Sequence, residues 1–135
     1  MQINKISLKI ALITAVVLFF LYLLISYTFS FKEVPLPEKK NERYYQIKMC
    51  NKLEGKIEYR LADKTRVDCL TDEYAIEVDW AKKWAEGIGQ SLYYGMVTNK
   101  KPAIGLIVEE GDERYLKRLY RVSKELDIKV IILER

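Results

Sequence analysis

The sequence predicts a mixed α/β domain carried behind one N-terminal membrane-spanning helix, and three observations predict it. From Ile10 to Phe31, 22 residues run without a formal charge, a length that spans a bilayer as a helix. After Gly55 the apolar residues recur at every second position through three short segments, the mark of strands with one covered face. Beyond Trp80 helical spacing alternates twice with short continuous apolar runs, the pattern of strands joined by helices and buried on both faces.

The apolar run is preceded by Lys5 and Lys9 and followed by Lys32. A buried core helix of this length would need most of the remaining chain to surround it, so the run reads as a membrane segment. It is longer than a usual secretory core and reads as an uncleaved anchor, although Thr28-Phe29-Ser30 offers the small residues of a cleavage site. Residues 1–31 are therefore assigned to the anchor. Pro35 and Pro37 stiffen a linker over 32–40, and the domain occupies 41–135. Lys32, Lys39, Lys40 and Arg43 outnumber the basic residues on the other flank, which favours a cytoplasmic domain. The two cysteines, Cys50 and Cys69, point the other way if they close a disulfide, which requires an oxidising compartment; two reduced thiols are the alternative.

The first domain segment, Glu42 to Asn51, reads as a helix ended near Gly55. Ile57, Tyr59 and Leu61 alternate with Glu58 and Arg60, and Thr65, Val67 and Cys69 alternate with Arg66 and Asp68, around a turn at Ala62-Asp63-Lys64. This is a β-hairpin. A three-residue loop would set Ile57 opposite Cys69, Tyr59 opposite Val67 and Glu58 opposite Asp68. The third strand, Tyr74 to Asp79, places Ile76 and Val78 on one face and Glu77 and Asp79 on the other. Trp80 to Val97 reads as a helix with an apolar stripe of Ala81, Trp84, Ala85, Ile88, Leu92 and Met96; an adjacent stripe holds Lys82, Glu86, Gln90 and Tyr94. Ala103 to Val108 is a buried strand, Asp112 caps a helix from Glu113 to Leu126, and Lys129 to Leu133 is a last strand. Helix, three strands, helix, strand, helix, strand describes an α/β sandwich with a mixed sheet.

Composition restricts the chemistry before any motif is read. The 135 residues contain no His, which excludes Ser-His-Asp and Cys-His nucleophiles and His-ligated metals. The net charge of +4 and pI near 8.9 suggest an anionic partner, but the excess lies at the anchor. Of 23 basic residues, Lys5, Lys9 and Lys32 flank the span, which leaves 20 against 19 acidic ones in residues 33–135. Nucleic-acid binding would therefore rest on local patches such as Lys82-Lys83, Lys100-Lys101 or Arg114 to Arg121. Asp68 and Glu77 lie on adjacent strands, so two carboxylates can meet on one face. Oxygen donors of this kind suit Mg²⁺ or Mn²⁺, with Glu58 or Asp79 as further ligands and a nearby Lys to position the attacking water.

These residues resemble the PD-(D/E)XK nuclease superfamily, which includes Holliday-junction resolvases and RecB-type exonuclease domains. The resemblance covers Glu42 to Val108 and extends loosely to Arg135. It implies an αβββαβ restriction-endonuclease-like core with an Asp on the second strand, matched by Asp68, and a Glu on the third, matched by Glu77. A Gln-x-x-x-Tyr motif on the next helix is matched by Gln90 and Tyr94. The implied activity is Mg²⁺- or Mn²⁺-dependent hydrolysis of DNA or RNA at a membrane anchored through residues 10–31. One position departs from the pattern: Asp79 stands where the family Lys follows two residues after the Glu. Lys82, or its neighbour Lys83, is then the candidate for that role, and Asp79 is either an additional ligand or the mark of a site that has lost activity. A nuclease-derived module that only binds or scaffolds at the membrane is the alternative. Gly87 and Gly89 match no phosphate loop and are read as sites of close helix packing; Trp80, Trp84, Tyr93 and Tyr94 are candidates for base stacking.

Overall fold

The computed structural model describes residues 5–29 and 33–135, with side chains from Leu8 to Ser26 and from Glu33 onwards. The first unit is a single helix, α1 (Lys5–Phe29). Its segment Leu8–Ser26 is long and apolar enough to cross a membrane. Ser30, Phe31 and Lys32, the end of the expected span and the first linker residue, lie outside the described residues.

The second unit begins at Val34. The expected linker is only partly a spacer, because Val34 is clamped: its N–H donates to Asn51 Oδ1 at 3.2 Å and its carbonyl accepts from Asn51 Nδ2 at 2.8 Å. Helix α2 (Glu42–Lys52) starts where Asn41 Oδ1 accepts from the Tyr44 N–H, an N-cap that satisfies one of the free amides of the first turn. Strands β1 (Lys56–Arg60), β2 (Arg66–Leu70) and β3 (Tyr74–Trp80) follow, then a 3₁₀ turn at Ala81–Lys83. Helix α3 (Trp84–Thr98), β4 (Lys101–Val108), α4 (Glu113–Glu125) and β5 (Lys129–Glu134) complete the unit.

The sheet has the order β1-β2-β3-β4-β5. β1, β2 and β3 are antiparallel neighbours, whereas β3, β4 and β5 run parallel, as crossovers through α3 and α4 require. Ile57 pairs with Cys69 and Tyr59 with Val67, the register that the three-residue loop predicts. α2 covers one face of the sheet: Tyr45, Met49 and Cys50 pack on Cys69, Ile76, Val78, Ala103 and Ile107. α3 and α4 cover the other through Ile88 and Leu119 on Ile104 and Leu106. Cys50 and Cys69 are disulfide-bonded, joining α2 to β2, and both are fully buried.

α3 differs from the expected helix in phase. Its buried residues are Gly87, Ile88, Ser91, Tyr94 and Gly95, while Ala85 and Met96, placed on the apolar stripe by sequence, are exposed. Asp112 stands before α4 but does not cap it by its side chain; Asp112 Oδ2 accepts from the Glu109 N–H instead. Of Gly87 and Gly89, only the first permits a close approach. A Cβ on Gly87 would stand 2.5 Å from Ile104 Cδ1, whereas one on Gly89 would meet nothing within 4 Å. Gly87→Ala should therefore cost about 1–3 kcal/mol by overpacking, and Gly89→Ala should add up to about 1 kcal/mol through helix propensity. Thermal unfolding followed by tryptophan fluorescence checks the opposed signs.

Candidate functional site

An open cleft of about 340 Å³ is lined by Glu58, Lys64, Thr65, Arg66, Asp68, Glu77, Gln90 and Tyr94. Five residues singled out from the sequence thus meet in one place: Asp68, Glu77, Glu58, Gln90 and Tyr94. The sheet positions the first two. β2 and β3 pair at Cys69 with Ile76 and at Leu70 with Ala75, and the same register continued by one residue sets Asp68 opposite Glu77. There the ladder stops, and Asp68 Oδ2 accepts from the Val78 N–H at 2.8 Å in place of a backbone carbonyl.

Asp68 is held on its other side by α2. Gln46 Nε2 donates to Asp68 Oδ1 at 2.9 Å, to the Asp68 carbonyl at 3.2 Å and to Glu58 Oε1 at 2.9 Å. Gln46 is buried, and sequence periodicity gave no role to it. The only signal was a polar residue inside the stretch Tyr45-Gln46-Ile47. Glu58 is neutralised by Arg66, with 2.9 Å from Nη1 to Oε2, and by Arg43 at 3.8 Å. It sits at φ 54°, in the left-handed region that is costly for a side-chain-bearing residue. The ladder accordingly skips Glu58 itself while its neighbours keep register.

Glu77 has no such compensation. It is 8% exposed, and its Oε2 is buried without a hydrogen-bond partner among the described residues. Burial, and then the charges of Asp68 and Asp79, push its carboxyl up to about 9. Burial likewise raises Asp68 to about 7, against the lowering effect of the Val78 N–H. Tyr94, 7% exposed, is raised to about 12 by burial and by these same carboxylates, so its phenol keeps its proton at neutral pH. The site is short of positive charge, and either protons or a cation must supply it.

The remaining predicted residues lie elsewhere. Lys82 lines a separate cleft of about 470 Å³ with Lys39, Lys40, Trp80 and Arg135. The 3₁₀ turn is the reason: it precedes α3, so Lys82 is not on the helical row that carries Gln90 and Tyr94. Lys83 is the lysine that meets a carboxylate of β3, with Nζ 3.5 Å from Asp79 Oδ1 and 4.0 Å from Glu86 Oε2. Asp79 is 3% exposed and spends Oδ1 on the Trp80 N–H and Lys83. Trp80 stacks edge-on against Tyr45 and Trp84 packs in the core; Tyr93 is exposed and donates its hydroxyl to Asp63.

Among the described residues no group of three or more carboxylate, Cys or His side chains is arranged to hold a metal ion. Neither Glu58 nor Asp79, the expected further ligands, therefore completes a group of three with Asp68 and Glu77 among the described residues. What remains is a pair, Asp68 and Glu77, with an orphaned oxygen on Glu77. Such a pair fits Mg²⁺ or Mn²⁺, which commonly bind through one or two carboxylates and complete their shell with water and substrate oxygens. No family model, curated protein or solved structure matches the chain.

Proposed function

We propose that residues 34–135 form a divalent-cation-dependent phosphodiester hydrolase of the PD-(D/E)XK type, tethered by a single membrane span. The observation that carries the reading is the buried, unpartnered carboxylate oxygen of Glu77 next to Asp68, in a cleft whose rim holds Lys64 and Arg66. The element order α2-β1-β2-β3-α3-β4 supports it, since the αβββαβ core expected from the resemblance has that order with Asp and Glu on its second and third strands. The Cys50–Cys69 disulfide supports a domain on the oxidising side of the membrane.

Asp68 and Glu77 would hold the ion, which when bound polarises a phosphoryl oxygen and lowers the pKa of a water. The chain's own residues do the rest. Lys64 and Arg66 draw the phosphate backbone to the cleft, Gln46 fixes the Asp68 carboxylate, and Gln90 and the protonated Tyr94 offer donors that orient the substrate. Lys83 returns an ammonium to Asp79, the position at which the family pattern has its lysine. The pairing of that ammonium with Asp79 and Glu86 favours a second reading, a module that binds the cation and an anionic ligand without turnover.

The full chain in detergent, incubated with Mn²⁺ and labelled single- and double-stranded DNA and RNA, should cleave at least one of them. Chelation should stop the reaction, and Glu77→Ala should slow it by roughly a hundredfold or more. Cleavage that persists unchanged in Glu77→Ala sinks the hydrolase. Mn²⁺ binding that needs Glu77, with no cleavage of any substrate, selects the second reading.

A further inference from the structure

α4 carries a stripe that the cleft does not use. Arg114, Lys117, Arg118, Arg121 and Lys124 recur at three- and four-residue steps, and all are exposed, so they form one face of the helix. Among the described residues none of the five belongs to an ion pair; Arg114 stacks on the Tyr115 ring. Tyr120 borders the stripe, next to Lys117 and Lys124, and is 50% exposed. With Glu113 and Glu125 as its two acids, α4 holds five basic residues against two acidic ones, an excess of three, in contrast with a near-zero balance over residues 33–135.

We propose that this face of α4 docks on an anionic lipid bilayer. A row of Lys and Arg with an exposed tyrosine is the composition of a helix that settles at a charged headgroup layer. Two observations favour a bilayer over nucleic acid. Only Ser30 to Glu33 separate Phe29, the last residue of the apolar helix, from Val34, whose backbone is clamped to Asn51, so the chain that joins the apolar helix to this unit is four residues long. Lys39 and Lys40, which follow Val34 within this unit, line the same cleft as Asp112, the residue before α4, and Glu109, so two further cations stand beside two acids where the stripe begins. Nucleic acid held on α4 would not serve the carboxylate cleft, to which α4 contributes no residue. The inference rests on the membrane span and not on the chemistry of that cleft.

The test uses the full chain in lipid nanodiscs with the photo-crosslinking residue p-benzoylphenylalanine in place of Tyr120, and reads phospholipid adducts by mass. Discs of phosphatidylcholine with 40% phosphatidylglycerol should give at least tenfold more adduct than discs of phosphatidylcholine alone. Each Lys or Arg near an anionic surface changes partition roughly fivefold. Arg118→Gln with Arg121→Gln should therefore lower the yield by an order of magnitude, while Arg118→Lys with Arg121→Lys should keep it. Half-molar salt should abolish the difference between discs, because the screening length falls to about 4 Å. Equal yields in the two lipid compositions, no lipid adduct, or displacement of the lipid adduct by duplex DNA would each overturn the proposal. Loss of nuclease activity in Glu77→Ala leaves this result unchanged, so the two readings fail separately.

Discussion

With chelator present, the domain should lose stability as the pH rises from 5 to 9, and Glu77→Gln should make that loss clearly smaller, most of all above pH 7. The folded chain holds the Glu77 carboxyl at about 9 and that of Asp68 at about 7, in both cases through burial first, whereas ordinary values are 4.5 and 3.8. Across this window the folded state binds more protons than the unfolded state, and stability must fall as pH increases. Asp79 and Glu42 are also raised by burial and act in the same direction. Asp63 and Glu73 are lowered by hydrogen bonds, but their stabilisation is lost only as the pH falls below the ordinary carboxylate range, outside the window. The expected magnitude is on the order of 3 kcal/mol, the effective penalty for an ionised carboxylate buried without a partner, or roughly 12 to 20 °C in unfolding temperature for a domain of this size. Trp80 and Trp84 are the two tryptophans of the chain and both lie in the second unit, so their fluorescence reports on the domain alone. Saturating Mn²⁺ should recover the stability of the native chain at pH 9 and leave Glu77→Gln unaffected. A transition that is flat or rises from pH 5 to 9, or a Glu77→Gln variant that falls as steeply as the native chain, would show that Glu77 is compensated in solution.

That prediction depends on geometry of which half could be read from the sequence. Alternation with a three-residue loop sets the hairpin register, and it placed Asp68 and Glu77 on neighbouring strands with Ile76 and Val78 turned to the opposite face. Period two is a local property of an extended chain, so composition alone reveals it. The phase of α3 was not legible. Three residues at about 120° each in a 3₁₀ turn, instead of about 100° in an α-helix, rotate what precedes the helix by about 60°. This displaces Lys82 from the row of Gln90 and Tyr94; Ala85 and Met96 lie within α3, where the turn does not move them, and are exposed because the helix buries the side of Gly87, Ser91, Tyr94 and Gly95 instead. Gln46 was missed for a different reason: its partners, Glu58 and Asp68, are 12 and 22 residues away, and a contact between layers leaves no period in the chain. The left-handed φ of Glu58 is set by the same contacts and is equally silent in sequence.

Replacing both cysteines, Cys50→Ala with Cys69→Ala, should destabilise the domain by about 3 kcal/mol, lowering the unfolding temperature by roughly 12 to 20 °C. The bond spans 19 residues, and closing a loop of that size restricts the unfolded chain by about this amount. The native state adds a local consequence. Cys50 lies one helical turn after Gln46, and Cys69 directly follows Asp68, so the bond fixes α2 against β2 beside the point where Gln46 holds the Asp68 carboxylate. Gly55 is the residue that admits it: a Cβ there would stand 2.5 Å from Cys69 Sγ and 2.8 Å from Cys50 Sγ. Mn²⁺ affinity should therefore fall in the double variant even at temperatures where it remains folded, because Asp68 loses its fixed orientation before the sheet melts. Maleimide labelling of protein denatured straight from native membranes should find no free thiol until a reductant is added, since both sulfurs are fully buried and the oxidised pair needs an oxidising compartment. Free thiols in that sample would place the domain on the reducing side. A double variant that unfolds within about 3 °C of the native chain would mean that the tie between α2 and β2 is carried by Gln46 and the surrounding core rather than by the covalent bond.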